Sequence, residues 1–161
     1  MADLIVDGFT RVAFVPTISN LAAPTTGELN AGTLLHNTLI VGGLQGFAFS
    51  PGEVDNTAFG SSFDTKLPGV SSYSGTQLVL KKQTIGSDTI WTLLSTFFTA
   101  GFVVIRDGVL NSTAWGAGNN VESFPITTGD WEYMERARNE VLKYVVATPI
   151  GAAPNKKGIV V

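Results

Sequence analysis

Only one stretch of this chain, residues 87–101, has the spacing of apolar residues that an amphipathic helix requires. At about 100° per residue, its large apolar side chains fall on one arc and its threonines on the opposite arc. Ser87 or Asp88 can cap the first turn, and Gly101 can end the helix in a left-handed conformation. The side chains that we expect to form the buried core face of this helix are Ile90, Trp91, Leu93, Leu94, Phe97 and Phe98.

The remaining chain has the pattern of strands and turns, with roughly seven or eight strands. The predicted strands are residues 9–15, 38–50, 53–59, 73–83, 101–106, 109–113, 121–128 and 139–149. Pro51-Gly52 is predicted to join the second strand to the third, and Asp107-Gly108 to join the fifth to the sixth as a tight hairpin. Gly42, Gly43 and Gly46 mark a bulge or sharp bend in the second strand. Pro125 places its own strand at a sheet edge or a bulge.

A single helix cannot supply the crossovers that a parallel sheet needs. We therefore predict a mainly β fold with a minor α component. Its two packed antiparallel sheets would form a β-sandwich or barrel with one flanking α-helix. The length of 161 residues fits one domain.

Two long irregular segments interrupt the first half of the chain. In residues 16–37, Thr25 and Glu28 have the spacing of a capping box for one short turn of helix. Because long loops in small domains usually serve a function or a partner, we expect this segment to be an arm. Residues 60–72 form the second irregular segment. Near the other end, residues 130–136 are predicted to be an exposed connection and residues from about 150 to 161 an extended tail.

The chain carries few charges for a soluble domain: 14% of its residues are charged, 44% are hydrophobic and 18 are glycine. Such a composition is typical of a subunit whose surface is largely covered by other subunits. A neutral β domain that stays monomeric is the alternative on composition alone. The net charge of −3 argues against a protein that reads nucleic-acid sequence through a basic stripe.

No pattern in the sequence indicates an active site. His36 is the only histidine, and no Gly-x-Ser-x-Gly motif supplies a nucleophile for it. The carboxylates are scattered, and without cysteine the chain can form neither a disulfide nor a thiolate metal site. We therefore expect no catalytic residues, no cofactor and no metal. We also expect no secretion signal and no membrane span, because no long apolar run is present.

Several segments, in order, resemble the major tail tube proteins of long-tailed, siphovirus-type phages, particularly those that infect actinobacteria. The matching segments are Arg11–Ile18, Ala23–Thr25, Glu28–Leu34, Ser62–Gly69, Asp88–Leu94, Gly101–Gly108 and Ala114–Ile126. The resemblance covers roughly residues 9–148, and the connection at residues 131–136 fits the family pattern less well.

The resemblance implies a structural protein of the virion tail, assembled in the host cytoplasm. Six copies would form a ring whose inner sheets join into one barrel, and rings would stack into a hollow tube through which DNA passes. Further partners would be the tape measure, tail terminator and distal tail proteins. A tube subunit of a secretion system or a gene-transfer particle shares this assembly logic. A stand-alone carbohydrate-binding or adhesion module, with Trp115, Trp131 and Tyr133 as an aromatic platform, is the alternative of a different class.

Within the tail-tube hypothesis, two groups of residues are predicted to contact neighbouring subunits or rings. The first group belongs to the first strand and the predicted arm: Arg11, Pro16, Thr17, Pro24, Glu28, Leu29 and Leu34. The second group lies in the second irregular segment, where mixed charges could fix the register: Phe63, Asp64, Lys66, Leu67 and Pro68. For both groups, an ordinary ordered surface loop is the alternative.

Overall fold

A computed structural model of the protein describes residues 3–161 and has eleven strands and two short helices within that range. The strands are β1 (Arg11–Val15), β2 (Thr33–Leu34), β3 (Leu39–Gln45), β4 (Glu53–Asp55), β5 (Lys66–Pro68), β6 (Gln77–Lys81), β7 (Ala100–Arg106), β8 (Asn120–Thr127), β9 (Trp131–Tyr133), β10 (Lys143–Ala147) and β11 (Asn155–Ile159). The helices are α1 (Thr26–Asn30) and α2 (Thr89–Leu94). The predicted mainly β fold with packed antiparallel sheets is confirmed.

Two antiparallel sheets enclose the main core. The five-stranded sheet has the order β11-β8-β7-β1-β2, and the four-stranded sheet has the order β3-β6-β10-β9. Alternate residues of each central strand point into the space between the sheets, as the period of a β-strand requires. Val12 and Phe14 of β1 meet Leu78 and Leu80 of β6 and Tyr144 of β10 in this core.

A second apolar cluster covers the outer face of the five-stranded sheet. Ala13 and Val15 of β1 point to this side and pack with buried residues from the two terminal parts of the chain, Ile18, Leu29 and Val160. All five residues of β1 are consequently buried. The sequence alternation of β1 does not separate a buried face from a solvent face, because both of its faces are covered.

The segment at residues 16–37 is not a free arm. Its capping box is present as predicted, since the Thr25 side chain accepts from the Glu28 N–H and the Glu28 carboxylate accepts from the Thr25 N–H. The short helix α1 then buries Leu29 completely against β1. The segment supplies Ile18 and Leu29 to the second core cluster, so it is a packed part of the domain and not a free arm.

The C-terminal residues are not an extended tail either. Residues 155–159 form β11, which pairs with β8. The Val161 N–H donates to Pro24 O, and Thr26 N–H donates to Val161 O, both at 3.0 Å. The two segments that the sequence predicts to be free therefore hydrogen-bond to each other and cover the same face of the sheet.

The helix α2 is shorter than predicted and ends at Leu94. Asp88 caps it through the Trp91 N–H at 2.9 Å. The left-handed conformation falls on Phe98, with φ of 66°, and not on Gly101. Gly101 lies in β7, where a Cβ would come within 2.3 Å of the Phe14 ring. The turn after the helix is held by the end of β8, because the Phe98 N–H donates to Thr128 O at 2.8 Å.

The early end of α2 changes which side chains belong to the core. Leu94 is fully buried, and Ile90, Trp91 and Leu93 pack against the core while partly exposed. Phe97 and Phe98 lie beyond the helix and are exposed, so their prediction as helix core is wrong. The helix ends before Ser95, and a turn follows. Phe97 and Phe98 therefore no longer have the helical spacing that would place them on the buried side.

Strand pairing differs from the predicted hairpins. β3 pairs with β6, with a register shift between Leu39 and Leu44 that confirms the predicted glycine-rich bulge, while β4 pairs with β5. Residues 107–119 contain no strand, so the predicted tight hairpin at Asp107-Gly108 is wrong, and β7 pairs with β8 across this longer loop. β8 lies between β7 and β11 and not at an edge, although β11 pairs with β8 only as far as Ser123, before Pro125. Residues 131–133 form the edge strand β9 and not a connection.

Replacing Leu29 by alanine tests whether the first long loop belongs to the folded body. We expect Leu29→Ala to lower the free energy of unfolding by about 2–5 kcal/mol, because it leaves a cavity beneath α1. Leu34→Ala is the matched control, since Leu34 is 37% exposed, and it is expected to change stability by about 0.5 kcal/mol or less. Urea unfolding of both variants measures the difference, and equal small effects would contradict the assignment of the loop to the core.

Candidate assembly surface

The most exposed ordered element is the hairpin formed by β4 and β5, which with its flanking residues 49–72 we name the hairpin arm. In the hairpin, Glu53, Val54 and Asp55 pair with Pro68, Leu67 and Lys66. The base of the arm is fixed by the Ser50 N–H, which donates to Ser72 O at 2.7 Å. Every residue of β4 and β5 is exposed.

The tip of the hairpin arm is ordered by its own hydrogen bonds. Asp55 Oδ1 accepts from the Thr57 N–H at 2.8 Å, and Thr57 Oγ1 accepts from the Thr65 N–H at 2.9 Å. Ser61 and Phe63 close the loop with a further pair of bonds. Bonds within the arm therefore give its tip a defined shape, while its base meets the body, where Lys156 lies over the Phe49 ring at 4.7 Å.

The hairpin arm carries an unusual amount of exposed apolar surface. Its exposed large apolar residues are Phe49, Val54, Phe59, Phe63, Leu67 and Val70, and Phe59 reaches 109% relative exposure. Burying such a side chain stabilises a contact by roughly 1.5–3 kcal/mol. An ordered arm that leaves these groups in water has the character of a surface that becomes covered on association.

The structure separates the two predicted interface groups. Phe63, Asp64, Lys66, Leu67 and Pro68 all lie on the hairpin arm and are exposed. In the first group, Pro16, Thr17 and Leu34 are exposed.

Three further members of the first group, Pro24, Glu28 and Leu29, make their contacts within the domain. Pro24 and Leu29 are buried in the body, so their prediction as contact residues is wrong for a folded subunit. Glu28 uses its carboxylate in the capping box and bonds the Ser19 N–H as well. Hydrogen bonds, first from Thr25 and then from Ser19, lower the pKa of Glu28 to about 2.

Sequence reasoning missed the apolar residues at the base and on the first strand of the arm, Phe49, Val54, Phe59 and Val70. Their signal in the sequence is that single large apolar residues stand isolated among small and polar residues such as Gly, Ser, Asn and Asp. Such residues cannot form a core face, so they are candidates for contact with another molecule.

The four-stranded sheet offers a second kind of surface, because both of its outer strands have an open side. Within residues 3–161, no strand pairs with the outer side of β3 or of β9. The Met134 N–H donates to Lys143 O and the Ala147 N–H to Asp130 O, so Trp131 and Tyr133 turn their backbone groups towards the open side. On the other edge, the bulge of β3 displays Val41 at 103% exposure.

The aromatic residues do not form the predicted sugar-binding platform. Trp131 and Tyr133 pack on Trp91 of α2, with ring centroids 4.1 Å and 5.6 Å away. Trp115 is buried in the other cluster, on the far face of the five-stranded sheet. The three residues proposed for the platform therefore lie in two separate places.

Trp115 lies between two buried arginines. The guanidinium carbons of Arg11 and Arg106 are 5.2 Å and 5.3 Å from its ring centroid. Arg106 is 1% exposed and donates to the carbonyls of Leu110, Thr113 and Ala114, while Arg11 donates to Asn111 and Thr113. Within residues 3–161 neither arginine forms an ion pair. The prediction of Arg11 as a contact residue is wrong, because its side chain shapes the loop after β7.

His36 lies near these two arginines and has no catalytic surroundings. Within the described residues, its buried Nδ1 has no hydrogen-bond partner, and no serine or carboxylate side chain bonds to the ring. No group of three or more His, Asp or Glu residues in that range could hold a metal ion. None of the helices described is long and apolar enough to cross a membrane.

An ordered apolar arm and two open sheet edges define a structural β protein that offers surface for contacts. The family model of phage tail tube proteins matches the whole chain, residues 1–161. The chain belongs to the phage tail tube protein family and is thus a structural component of a phage tail. The resemblance noted in the sequence is confirmed at this level.

One solved structure with the same fold is a chain of the anti-feeding prophage baseplate, determined by cryo-EM with 6-fold symmetrisation. The TM-score is 0.61 at 14% sequence identity, and 98% of each chain is covered. At this identity the likeness concerns the fold alone. No curated protein matches the chain.

The single histidine gives a pH test of the buried arginine cluster. Burial lowers the pKa of His36 from 6.5, a hydrogen bond with the Val12 backbone works in the opposite direction, and Arg11 and Arg106 lower it further. The unfolded chain therefore binds a proton more readily than the folded chain. We expect the free energy of unfolding to be constant above about pH 7.5 and to fall as the pH drops through 6.5 towards the folded-state pKa.

His36→Gln is the matched control, because glutamine keeps a polar group without titrating. Urea unfolding between about pH 7.5 and 5.5 should show the decline in the natural chain and a nearly flat profile in the variant. Glu28 does not interfere, because its hydrogen bonds hold its pKa at about 2, far below this range. Equal slopes in both proteins would show that His36 is not the group responsible.

Proposed function

We propose that this chain is the major tail tube subunit of a long-tailed, siphovirus-type phage of the kind that infects actinobacteria. Six copies form a ring, and rings stack into the hollow tube through which DNA is delivered to the host. Membership of the tail tube family and the ordered sequence resemblance support this proposal. The observation that carries it is the four-stranded sheet with an open strand on each side.

Two different open edges on one sheet are suited to ring formation. If β3 of one copy pairs with β9 of the next, the contact is heterologous and can repeat around an axis until the ring closes. Closure removes every exposed edge of this sheet and joins the sheets into one barrel. The 6-fold symmetry of the related baseplate structure supports six copies per ring.

The inner wall of this barrel would be the face of the four-stranded sheet that is turned away from the core. Leu78, Leu80 and Tyr144 point into the core, so the residues between them face the other way. That face carries Lys81 and Lys143 together with Glu132, and Lys143 is paired with Glu140 at 2.7 Å. Charges of both signs suit a wall that DNA passes, since a continuous row of cations would hold phosphates.

The proposed role is structural and non-catalytic. Assembly would take place in the host cytoplasm and end in the virion tail, with the tape measure, tail terminator and distal tail proteins as further partners. The secretion-system and gene-transfer tube subunits are the related alternatives, since they would use the same sheet edges. Family membership in the phage group favours the phage tail.

Cysteine cross-linking tests the lateral contact directly, because the natural chain contains no cysteine. We expect the double variant Val41→Cys with Glu132→Cys to give, on mild oxidation, a covalent ladder that ends at six subunits. Each single variant is the control and should give no ladder. Negative-stain electron microscopy of the same samples should show rings or hollow tubes.

The two measurements can fail separately. Rings in the microscope without any ladder would show that the subunits meet through other edges than β3 and β9. A monomer at every concentration, with neither rings nor ladder, would contradict the proposed function itself.

A further inference from the structure

Four buried nitrogen atoms without a hydrogen-bond partner in the described part of the chain lie near one another at one end of the five-stranded sheet. They are Nε of Arg11, Nε of Arg106, Nε1 of Trp115 and Nδ1 of His36. Arg11 and Arg106 are cross-strand neighbours in β1 and β7. Both guanidinium groups lie over the Trp115 ring, and both act on the His36 side chain through their charge. We name these four residues the arginine cluster.

Three of the four nitrogens can only donate a hydrogen bond, because an arginine Nε–H and an indole N–H offer no lone pair. The three side chains are deeply buried: Arg106 is 1% exposed, Trp115 is 4% exposed and Arg11 is 8% exposed. Buried N–H groups in folded proteins nearly always have an acceptor. Within residues 3–161, no group of the chain accepts from these three donors.

The arginine cluster also has a positive charge that the described chain does not neutralise. The ion pairs within residues 3–161 all involve lysine. Asp107 follows Arg106 in the chain, yet its carboxylate accepts from the Thr10 hydroxyl. The main-chain carbonyl groups that accept from the two guanidinium groups carry only partial charges. Buried ions are costly to leave without a counter-charge.

The two arginines raise the electrostatic potential around them. Burial lowers the pKa of both arginines, and the charge of Arg11 lowers the pKa of Arg106 further. Burial also lowers the pKa of His36, and the two arginines act in the same direction. A cluster of this kind attracts negative charge.

We infer that the arginine cluster binds one small monovalent anion, chloride in ordinary solution, which accepts from the Nε–H groups of Arg11 and Arg106 and from the indole N–H of Trp115. A single ion supplies both an acceptor for the three donors and a counter-charge for the two cations. A water molecule supplies no charge, and phosphate presents more oxygen atoms than the cluster has unpartnered donors.

The bound anion would hold the loop of residues 107–119 on the sheet. Arg106 donates to carbonyl groups of this loop at Leu110, Thr113 and Ala114, and Arg11 donates to Asn111 and Thr113. An ion that offsets the repulsion between the two guanidinium groups stabilises both sets of bonds. We therefore expect the folded chain to become more stable as the chloride concentration rises.

Urea unfolding of the full-length chain at increasing chloride concentration measures this effect. At about pH 7.5, the bulkier anion methanesulfonate keeps the ionic strength constant, so screening by salt does not change. An ion that binds only the folded state lowers the unfolding constant about tenfold for each tenfold rise in its concentration above the dissociation constant. We expect this dependence, a slope of about one, at a fixed and low protein concentration.

Two conservative variants remove one donor each. Arg11→Lys keeps the positive charge without the Nε–H, and Trp115→Phe keeps an aromatic ring between the arginines without the indole N–H. In each, the dissociation constant for chloride is expected to rise about tenfold or more. Arg138→Lys is the matched control, because Arg138 is exposed, and it should keep the slope of the natural chain.

A fixed carboxylate should replace the anion. His36→Glu places a negative charge near both arginines, so this variant is expected to unfold at a higher urea concentration than the natural chain when chloride is absent. Its stability should no longer depend on chloride. This variant gains stability, so it tests the inference even if Arg11→Lys or Trp115→Phe fails to fold.

Bromide locates the site directly, because it has the charge of chloride and an anomalous X-ray signal. Crystals of the natural chain grown with sodium bromide should show an anomalous peak in contact with the nitrogens of Arg11, Arg106 and Trp115. A cluster without such a peak, in a protein whose stability does not change with chloride, would overturn the inference.

Equal slopes in the natural chain, Arg11→Lys and Trp115→Phe would also overturn it, since chloride would then act elsewhere. None of these results bears on ring formation, because the arginine cluster belongs to the five-stranded sheet and the proposed ring uses the open edges of β3 and β9. The inference therefore stands or falls independently of the proposed function.

Discussion

The whole structure depends on a five-stranded sheet that is covered on both faces. The four-stranded sheet covers one face, and α1 with the C-terminal residues covers the other. A central strand such as β1 then has no solvent side, and every residue from Arg11 to Val15 is buried. The first long loop and the last strand are consequently fixed parts of the body. The hairpin arm and the open edges of the four-stranded sheet are surfaces that the domain itself does not use.

The same constraint explains where the exposed apolar residues lie. With only 14% charged residues, the chain has fewer charges to place on its surface than an average soluble domain. Phe59, Phe63 and Val70 on the arm and Val41 on β3 are largely exposed, whereas the apolar residues of β6 and β10 that face the core are buried. The arm thus carries a group of exposed apolar residues on an ordered element, while others, such as Ile85 and Phe98, lie elsewhere on the surface.

The sequence predicts local features of this fold better than it predicts which segments meet. The fold class, the cap at Asp88, the capping box of Thr25 and Glu28 and the bulge of β3 are present as expected, because each depends on neighbouring residues. The wrong expectations concern contacts between distant segments. A glycine after a helical pattern is typical of a helix end, yet Gly101 lies in β7. There the Phe14 ring is so close that no side chain would fit.

Residues 16–37 and 60–72, the two irregular segments, show that the sequence does not predict which of two similar loops packs against the domain. Both are rich in Gly, Ser and Thr, and the first contains more of the residues matched by the family resemblance. Only the tertiary structure shows that Leu29 packs in a buried cluster with Val15, while Phe63 is exposed. A hairpin arm can be told from a packed loop only by the partner of its apolar residues, and a single sequence does not contain that information.

The buried arginines change the charge of the surface that the proposed tube would present to DNA. Arg11 and Arg106 account for two of the ten basic residues of the chain, and both spend their donors on carbonyls around Trp115. Their charge is removed from the surface, and Asp88 is buried in an ion pair with Lys82. Twelve acidic residues and seven basic residues then remain in the rest of the chain. The surface is therefore more acidic than the net charge of −3 indicates. In the proposed tube, this excess of carboxylates disfavours lasting contact with phosphates, since affinity for DNA depends chiefly on the number of cations that reach its backbone. A loop that is held by buried guanidinium groups, without ion pairs, thus stabilises the subunit and keeps two cations away from DNA.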